Sequence, residues 1–501
     1  MDALVRWWMY TLPPVDGRLR FVVYALLFVL SWTHEAGLLA GPDLVFRTPA
    51  FAYTPRGLAG LVLTGQPSAD WVLPLRAVTA IAWVAAAIGL FSRPAAVITA
   101  IGAFTLHGVT AGVVGQNHGW YLPTFTLIAL TCARTDDRFS VDFHIRRWRG
   151  LPERPAHAKD HDKDTFELGR TGFARVLVLV VAMGLLFMGG VAKLWGSGLE
   201  WLDGHTLRVY IEAEQTPPLS TFLKQHLWAC AALSWATLSL ELGALLALLS
   251  RGARHVIVAA AACFHVGVQL VMVPAYAQYL VCYALLIDWG AIAAWASARL
   301  GRPRAPTRPV AMTPSSPVAR VSTAGGMLLV ASLALVTLLR IEWWPVTHVP
   351  MYSTYLSKQR VGEIRKADLF DIDKAAVIAR DCLASRPCAW ALPIRVARHI
   401  RVRVLTYGSS EELGADVPSS QWKYLVSGVA MRQLSASANA GVDAQAPGGP
   451  VEEFLRTLVP EVRARAPAGT RGRIVFEYKV RGGYYRLGQV RFSSPEAPAP
   501  E

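Results

Sequence analysis

Ionisable and amide side chains inside apolar runs mark where this chain can do chemistry, because polar groups away from water are costly and rarely incidental. They are His34 and Glu35 late in the first such run, Asn117 and His118 opening the fourth, Lys193 late in the fifth, Glu241 within the sixth, and His265 with Gln269 in the seventh. Within a membrane, such residues move protons, bind a substrate or pair with a neighbouring helix. His265 and Gln269 are four apart and share a helix face. At the helical rise His265 lies ~14 Å below the outer boundary of its run. Each position also fits a plainer role. Lys193 can snorkel to the interface, and His118 can cap a helix beside Trp120 and Tyr121 in an aromatic belt. His265 can be a hydrogen-bonded core histidine, and Glu241 can pair across helices or stay protonated.

The elements that must position these groups are apolar runs at 21–40, 71–91, 94–115, 118–133, 172–195, 227–249, 254–274, 276–297 and 325–344, nine predicted transmembrane helices. The fourth is shorter than a span needs and contains Pro123. Composition agrees with a polytopic α-helical membrane protein: 53% of the 501 residues are hydrophobic and 17% are charged, where a soluble chain carries about 25%. With the N-terminus inside, the inner connections hold 20 Lys+Arg and the outer ones 4. This bias orients the chain with a cytoplasmic N-terminus, in the inner (cell) membrane, and nine spans place everything after 344 outside. The first run follows Arg18 and Arg20 as a signal peptide would, but its length and exit suit an uncleaved span.

The net charge of +15 is spread along the chain, so it is a topology signal rather than a nucleic-acid footprint. No Gly-Lys-Ser/Thr phosphate loop, His-Glu-x-x-His or Cys-x-x-Cys occurs, which leaves phosphoryl transfer, zinc hydrolysis and thioredoxin-like chemistry without a motif, and no metal is expected. Two domains are expected, 1–344 in the membrane and 345–501 as an extracytoplasmic α+β domain. The second has alternating runs at 400–404, 474–480 and 484–492 and a helical pattern at 452–458. Cys382 and Cys388 form the only cysteine pair in that domain; they suit a local disulfide or two separate buried thiols.

The segment Gly189-Gly190-Val191-Ala192-Lys193-Leu194-Trp195, followed by Trp201-Leu202-Asp203-Gly204, is more specific. It resembles the lysine-containing stretch of the vitamin K-dependent γ-carboxylase family, also called the horizontally transferred transmembrane (HTTM) group, where a small-Gly-x-x-Lys-Leu run precedes Trp-x-x-Gly. Further pieces are similar in the same order: Asn117-His118, then Phe139-Ser140-Val141-Asp142, Phe264-His265, Leu286-Ile287-Asp288-Trp289, and Trp343-Trp344-Pro345 to Met351-Tyr352-Ser353. The resemblance covers about residues 15–355, and the Ala, Arg and Pro content fits a bacterial member.

The resemblance implies a reaction. The lysine matching Lys193 deprotonates a reduced naphthoquinone (vitamin K or menaquinol), which reacts with oxygen and becomes an epoxide. The base so formed takes a carbon-bound proton, and the carbanion captures carbon dioxide. Lys193 must then be a neutral amine when it acts, and His118 would support it by hydrogen bonding to developing oxyanion charge. Asn117, His34, Glu35, His265, Gln269 and Trp201 complete the expected pocket for quinol and a secreted or periplasmic peptide, with Lys193, His118 and His34 converging near the outer leaflet. Two other readings share the fold: a non-enzymatic scaffold or maturation factor for a secreted peptide, and a transporter with Glu241 and His265 on its path.

Overall fold

The computed structural model describes residues 17–47, 58–114, 118–133, 139–150, 161–213, 218–272 and 276–300, then 342–343, 346–347, 400–406, 409–412, 450–465, 470–480 and 483–493, with a few isolated positions between them. The main helices are α1 (Gly17–Thr33), α2 (Ala69–Ile88), α3 (Ser92–Val114), α4 (Tyr121–Leu130), α5 (Val141–Trp148), α6 (His161–Ser197), α7 (Leu227–Gly243), α8 (Arg251–Met272), α9 (Ala277–Ala284), α10 (Trp289–Arg299) and α11 (Pro450–Arg465).

Among the described residues, five helical segments are long and apolar enough to cross a bilayer: Ala69–Ile88, Ser92–Val113, Gly172–Trp195, Leu227–Leu249 and Arg251–Val271. The chain is thus a membrane-embedded helical protein. These five are the second, third, fifth, sixth and seventh expected spans. Among the described residues, the first, fourth and eighth expected spans differ from a single straight crossing helix, for three physical reasons. The first helix stops at Thr33, because His34 turns its own ring nitrogen onto the Ala36 N–H at 3.2 Å, and Gly37 folds back onto Ser31. A Cβ at Gly37 would lie 2.3 Å from the Ser31 carbonyl oxygen, so only glycine permits that turn. The fourth is a one-turn 3-10 helix, His118–Trp120, leading into ten residues of α4, about 15 Å long and half a bilayer. The eighth is broken: α9 and α10 meet at 74° and count as a sixth span only if taken together. The ninth lies almost wholly outside the described residues.

The break between α9 and α10 frees backbone carbonyls that a membrane cannot hydrate. Buried Arg175 of α6 answers this: its Nε donates to the Leu285 carbonyl and its Nη2 to that of Ile287 at 2.6 Å. Asp288 then starts α10 by accepting from the Ala291 N–H at 3.0 Å.

Helices α2 and α3 pack so closely that a Cβ at Gly102 would come 1.9 Å from Thr79 Oγ1. Trp83 of α2, fully buried, donates its indole N–H to the Tyr24 carbonyl of α1 at 3.0 Å. The tight turn after α2, with Gly89 at φ +73, is fastened by the Phe139-Ser140-Val141-Asp142 motif. Ser140 Oγ donates to the Gly89 carbonyl at 2.7 Å. The Asp142 carboxylate accepts from the Phe91 and Ser92 N–H groups at 2.9 and 3.0 Å and from Ser92 Oγ at 2.9 Å. Asp142 thereby caps α3 from outside that helix.

Packing groups the chain into two compact units. One comprises 1–45, 55–192 and 236–350, and the other 46–54, 193–235 and 351–501. This grouping by contact differs from a single cut at 344, which concerns membrane topology. In the second unit, β1 (Ile400–Thr406), β2 (Ser409–Glu412), β3 (Arg471–Val480) and β4 (Gly483–Ser493) form one antiparallel sheet in the order β2-β1-β3-β4. Val402 pairs with Phe476 and Val404 with Ile474 across β1 and β3. Helix α11 packs on β3 and β4, burying Leu455 and Leu458, with Phe454 edge-on to Phe476 at 6.1 Å.

Candidate functional site

His118 sits on the 3-10 turn that opens α4, and that turn is held by side chains of α9 and of α4 itself. Tyr279 Oη donates to the His118 carbonyl at 2.7 Å, and Gln278 Nε2 to the Gly119 carbonyl at 3.0 Å, both from α9. Thr124 Oγ1 donates to the Trp120 carbonyl at 2.7 Å. Three consecutive carbonyls thus each accept from a side chain. The same Thr124 hydroxyl lies 3.0 Å from His107 Nδ1. His107 belongs to α3. The imidazole of His118 stacks on Tyr121 at 5.6 Å, and His107 meets the same tyrosine edge-on at 5.2 Å. His34 stands edge-on to Trp120 at 6.1 Å, while Glu35 is exposed.

His265 is buried in α8 among three tyrosines, Tyr276, Tyr279 and Tyr283, with ring centroids 4.9 to 5.6 Å away. Its Nδ1 lies 2.8 Å from the Ala261 carbonyl of the preceding turn, and the Tyr283 hydroxyl approaches the same nitrogen at 3.4 Å. The ring nitrogen therefore donates to Ala261 and has little left for Tyr283. This is the arrangement of a satisfied core histidine, joined through Tyr279 to the His118 turn. Gln269, four residues on, is exposed and does not join the cluster.

Lys193 lies near the end of α6, where its side chain is only 5% exposed. Its ammonium is 5.4 Å from the centre of the Trp201 ring, which is itself buried. The sequence after it folds as its residues dictate. Gly198–Asp203 form a short 3-10 helix, Asp203 Oδ1 accepts from the His205 N–H at 2.8 Å, and Gly204 turns at φ +79. A Cβ at Gly204 would lie 2.4 Å from the Ala231 nitrogen of α7, so both backbone sign and space require glycine. Before the lysine, a Cβ at Gly190 would come 2.9 Å from that of Glu241, and α6 and α7 approach at these small residues. Glu241 is buried there.

Lys193 and Trp201 belong to one compact unit, and His34, His118 and His265 to the other. Asn117, Cys382 and Cys388 lie outside the described residues. Among the described residues no three His, Cys, Asp or Glu side chains gather as metal ligands. Sequence reasoning passes over His107, Arg175, Gln278 and the three tyrosines. The criterion that singles out His265 reaches His107 and Arg175 as well, since both lie within apolar runs; the tyrosines carry no such mark.

Residues 167–287 match the HTTM domain family model. The matched segment runs from α6 through α9 and holds Arg175, Gly190, Lys193, Trp201, Gly204, Glu241, His265 and Tyr279. His34 and His118 precede it. No curated protein and no solved structure matches the chain.

Proposed function

We propose that the chain is a carboxylase-like enzyme of the inner membrane that uses a reduced naphthoquinone from the bilayer, oxygen and carbon dioxide to modify a secreted or periplasmic peptide. The observation that supports this reading is Lys193. A snorkelling lysine keeps its ammonium in water, whereas this one is covered by protein, faces an indole ring and lies within the HTTM match. The Lys+Arg asymmetry of the connections, counted over the nine apolar runs, supports a cytoplasmic N-terminus and an outer C-terminal domain.

The residues fit a flat ring bearing two oxygens. Trp201 offers an aromatic wall beside the lysine. The quinol, when bound, supplies with oxygen the oxidation that makes a base strong enough to ionise a carbon acid. Lys193 Nζ takes the hydroxyl proton, and the Trp201 face accommodates the ammonium so formed.

The test is quinone epoxide formation by the purified protein in lipid nanodiscs, supplied with reduced naphthoquinone and oxygen. Wild type is expected to form epoxide and Lys193→Ala to form it about 10²–10⁴ times more slowly, the usual worth of a general base. A folded wild type that makes none with several quinols and candidate peptides overturns the reading.

A further inference from the structure

We propose that helix α5 is a binding surface for anionic lipid headgroups, fixed at the membrane boundary by the motif that precedes it. The level of α5 follows from the fold. Only three residues separate the candidate spans of α2 and α3, so the Gly89–Phe91 turn between them lies where both leave the apolar layer. Ser140 and Asp142 are bonded to Gly89, Phe91 and Ser92, the turn and the first residue after it, through four hydrogen bonds, and Asp142 is the second residue of α5. The helix therefore starts at headgroup depth.

Its composition suits that depth. Val141, Phe143 and Ile145 are partly covered, while Arg147, Trp148 and Arg149 are exposed, and Trp148 is 84% exposed. Arg146, Arg147 and Arg149 have no acidic partner among the described residues. Arg18 at the start of α1 adds a cation close by, its guanidinium 4.6 Å over the Phe139 ring. An indole left almost bare beside three arginines is unfavourable in water and favourable at a lipid interface, where the ring sits among headgroups and guanidinium groups pair with phosphate. The partner class is an acidic phospholipid of the surrounding bilayer, such as phosphatidylglycerol. The inference does not depend on any catalytic role for Lys193.

The experiment is native mass spectrometry of the full chain released from nanodiscs of phosphatidylcholine with about 30% phosphatidylglycerol, a composition chosen because basic residues near an acidic bilayer gain affinity. Wild type is expected to retain phosphatidylglycerol in preference to phosphatidylcholine. R146Q/R147Q/R149Q should weaken that retention on the order of a hundredfold, from the usual strength of three basic residues at an anionic surface. Should the triple variant fail to fold in phosphatidylcholine alone, R147Q/R149Q, which changes only exposed side chains, takes its place. K224Q, on the separate helix Pro218–Gln225, should leave retention unchanged. Equal retention of the two lipids by wild type, an undiminished preference in the arginine variants, or an equal loss in K224Q overturns the proposal.

Discussion

Tyr279→Phe tests the hydroxyl that holds the His118 turn. The substitution keeps the ring that packs on His265, Tyr276 and Tyr283 at 4.9, 5.4 and 6.3 Å, and removes only the hydroxyl that donates to the His118 carbonyl at 2.7 Å. The carbonyl is part-buried, so the loss includes part of its desolvation as well as the bond, about 1–3 kcal/mol. In a chain of this size that lowers the thermal midpoint by a few degrees. The paired control is Tyr283→Phe, whose hydroxyl reaches His265 Nδ1 only at 3.4 Å, a nitrogen already committed to Ala261 at 2.8 Å. Its loss should be smaller, under about 1 kcal/mol. The assay is thermal unfolding of wild type and both variants in identical nanodiscs, with amide exchange read at residues 118–121. Tyr279→Phe should speed exchange there while Tyr283→Phe leaves it unchanged. A midpoint for Tyr279→Phe equal to or above that of Tyr283→Phe would refute the claim that side-chain donors fix this turn.

Two further substitutions test how the flanking motifs work. Gly204→Ala should destabilise by about 2 kcal/mol or more, because the added carbon meets the backbone of Ala231 at a positive φ; Gly204→Asn, usually tolerated in that backbone region, should do no better, and recovery with Asn in the same thermal assay would show that backbone sign alone requires glycine. Asp142→Ala removes the acceptor for two N–H groups and a hydroxyl at the start of α3 and should cost about 1–2 kcal/mol, with faster amide exchange at Phe91 and Ser92; unchanged exchange at those two amides counts against the cap.

How much of this was legible depends on the range of the interaction that decides each element. Five spans are set by local hydropathy alone, and the runs at 71–91, 94–115, 172–195, 227–249 and 254–274 predict them. The first span ends early because one side chain, His34, competes for a backbone N–H, which hydropathy does not register. The bend after α9 depends on Arg175, 110 residues away from the carbonyl of Leu285 that it satisfies, and no local pattern carries that information. The strands at 400–406, 471–480 and 483–493 show the expected alternation, interrupted where the β3–β4 register shifts at Phe476 and Glu477. For the site, Lys193 and His118 stand out because ionisable groups are conspicuous in apolar sequence. The shell around His118 does not, since Thr124, Gln278 and Tyr279 are ordinary residues until the fold aligns them with three consecutive carbonyls.

The central claim is that Lys193 acts as the base, and chemical rescue tests it most directly. Epoxide formation would be followed for wild type and Lys193→Ala in nanodiscs across a series of small primary amines. The account predicts that the variant regains activity in proportion to the concentration of unprotonated amine, with a rate that rises with amine basicity, while wild type does not respond. A Lys193→Ala variant that is folded and as active as wild type without amine, or a loss that no amine restores although the quinol still binds, would contradict it.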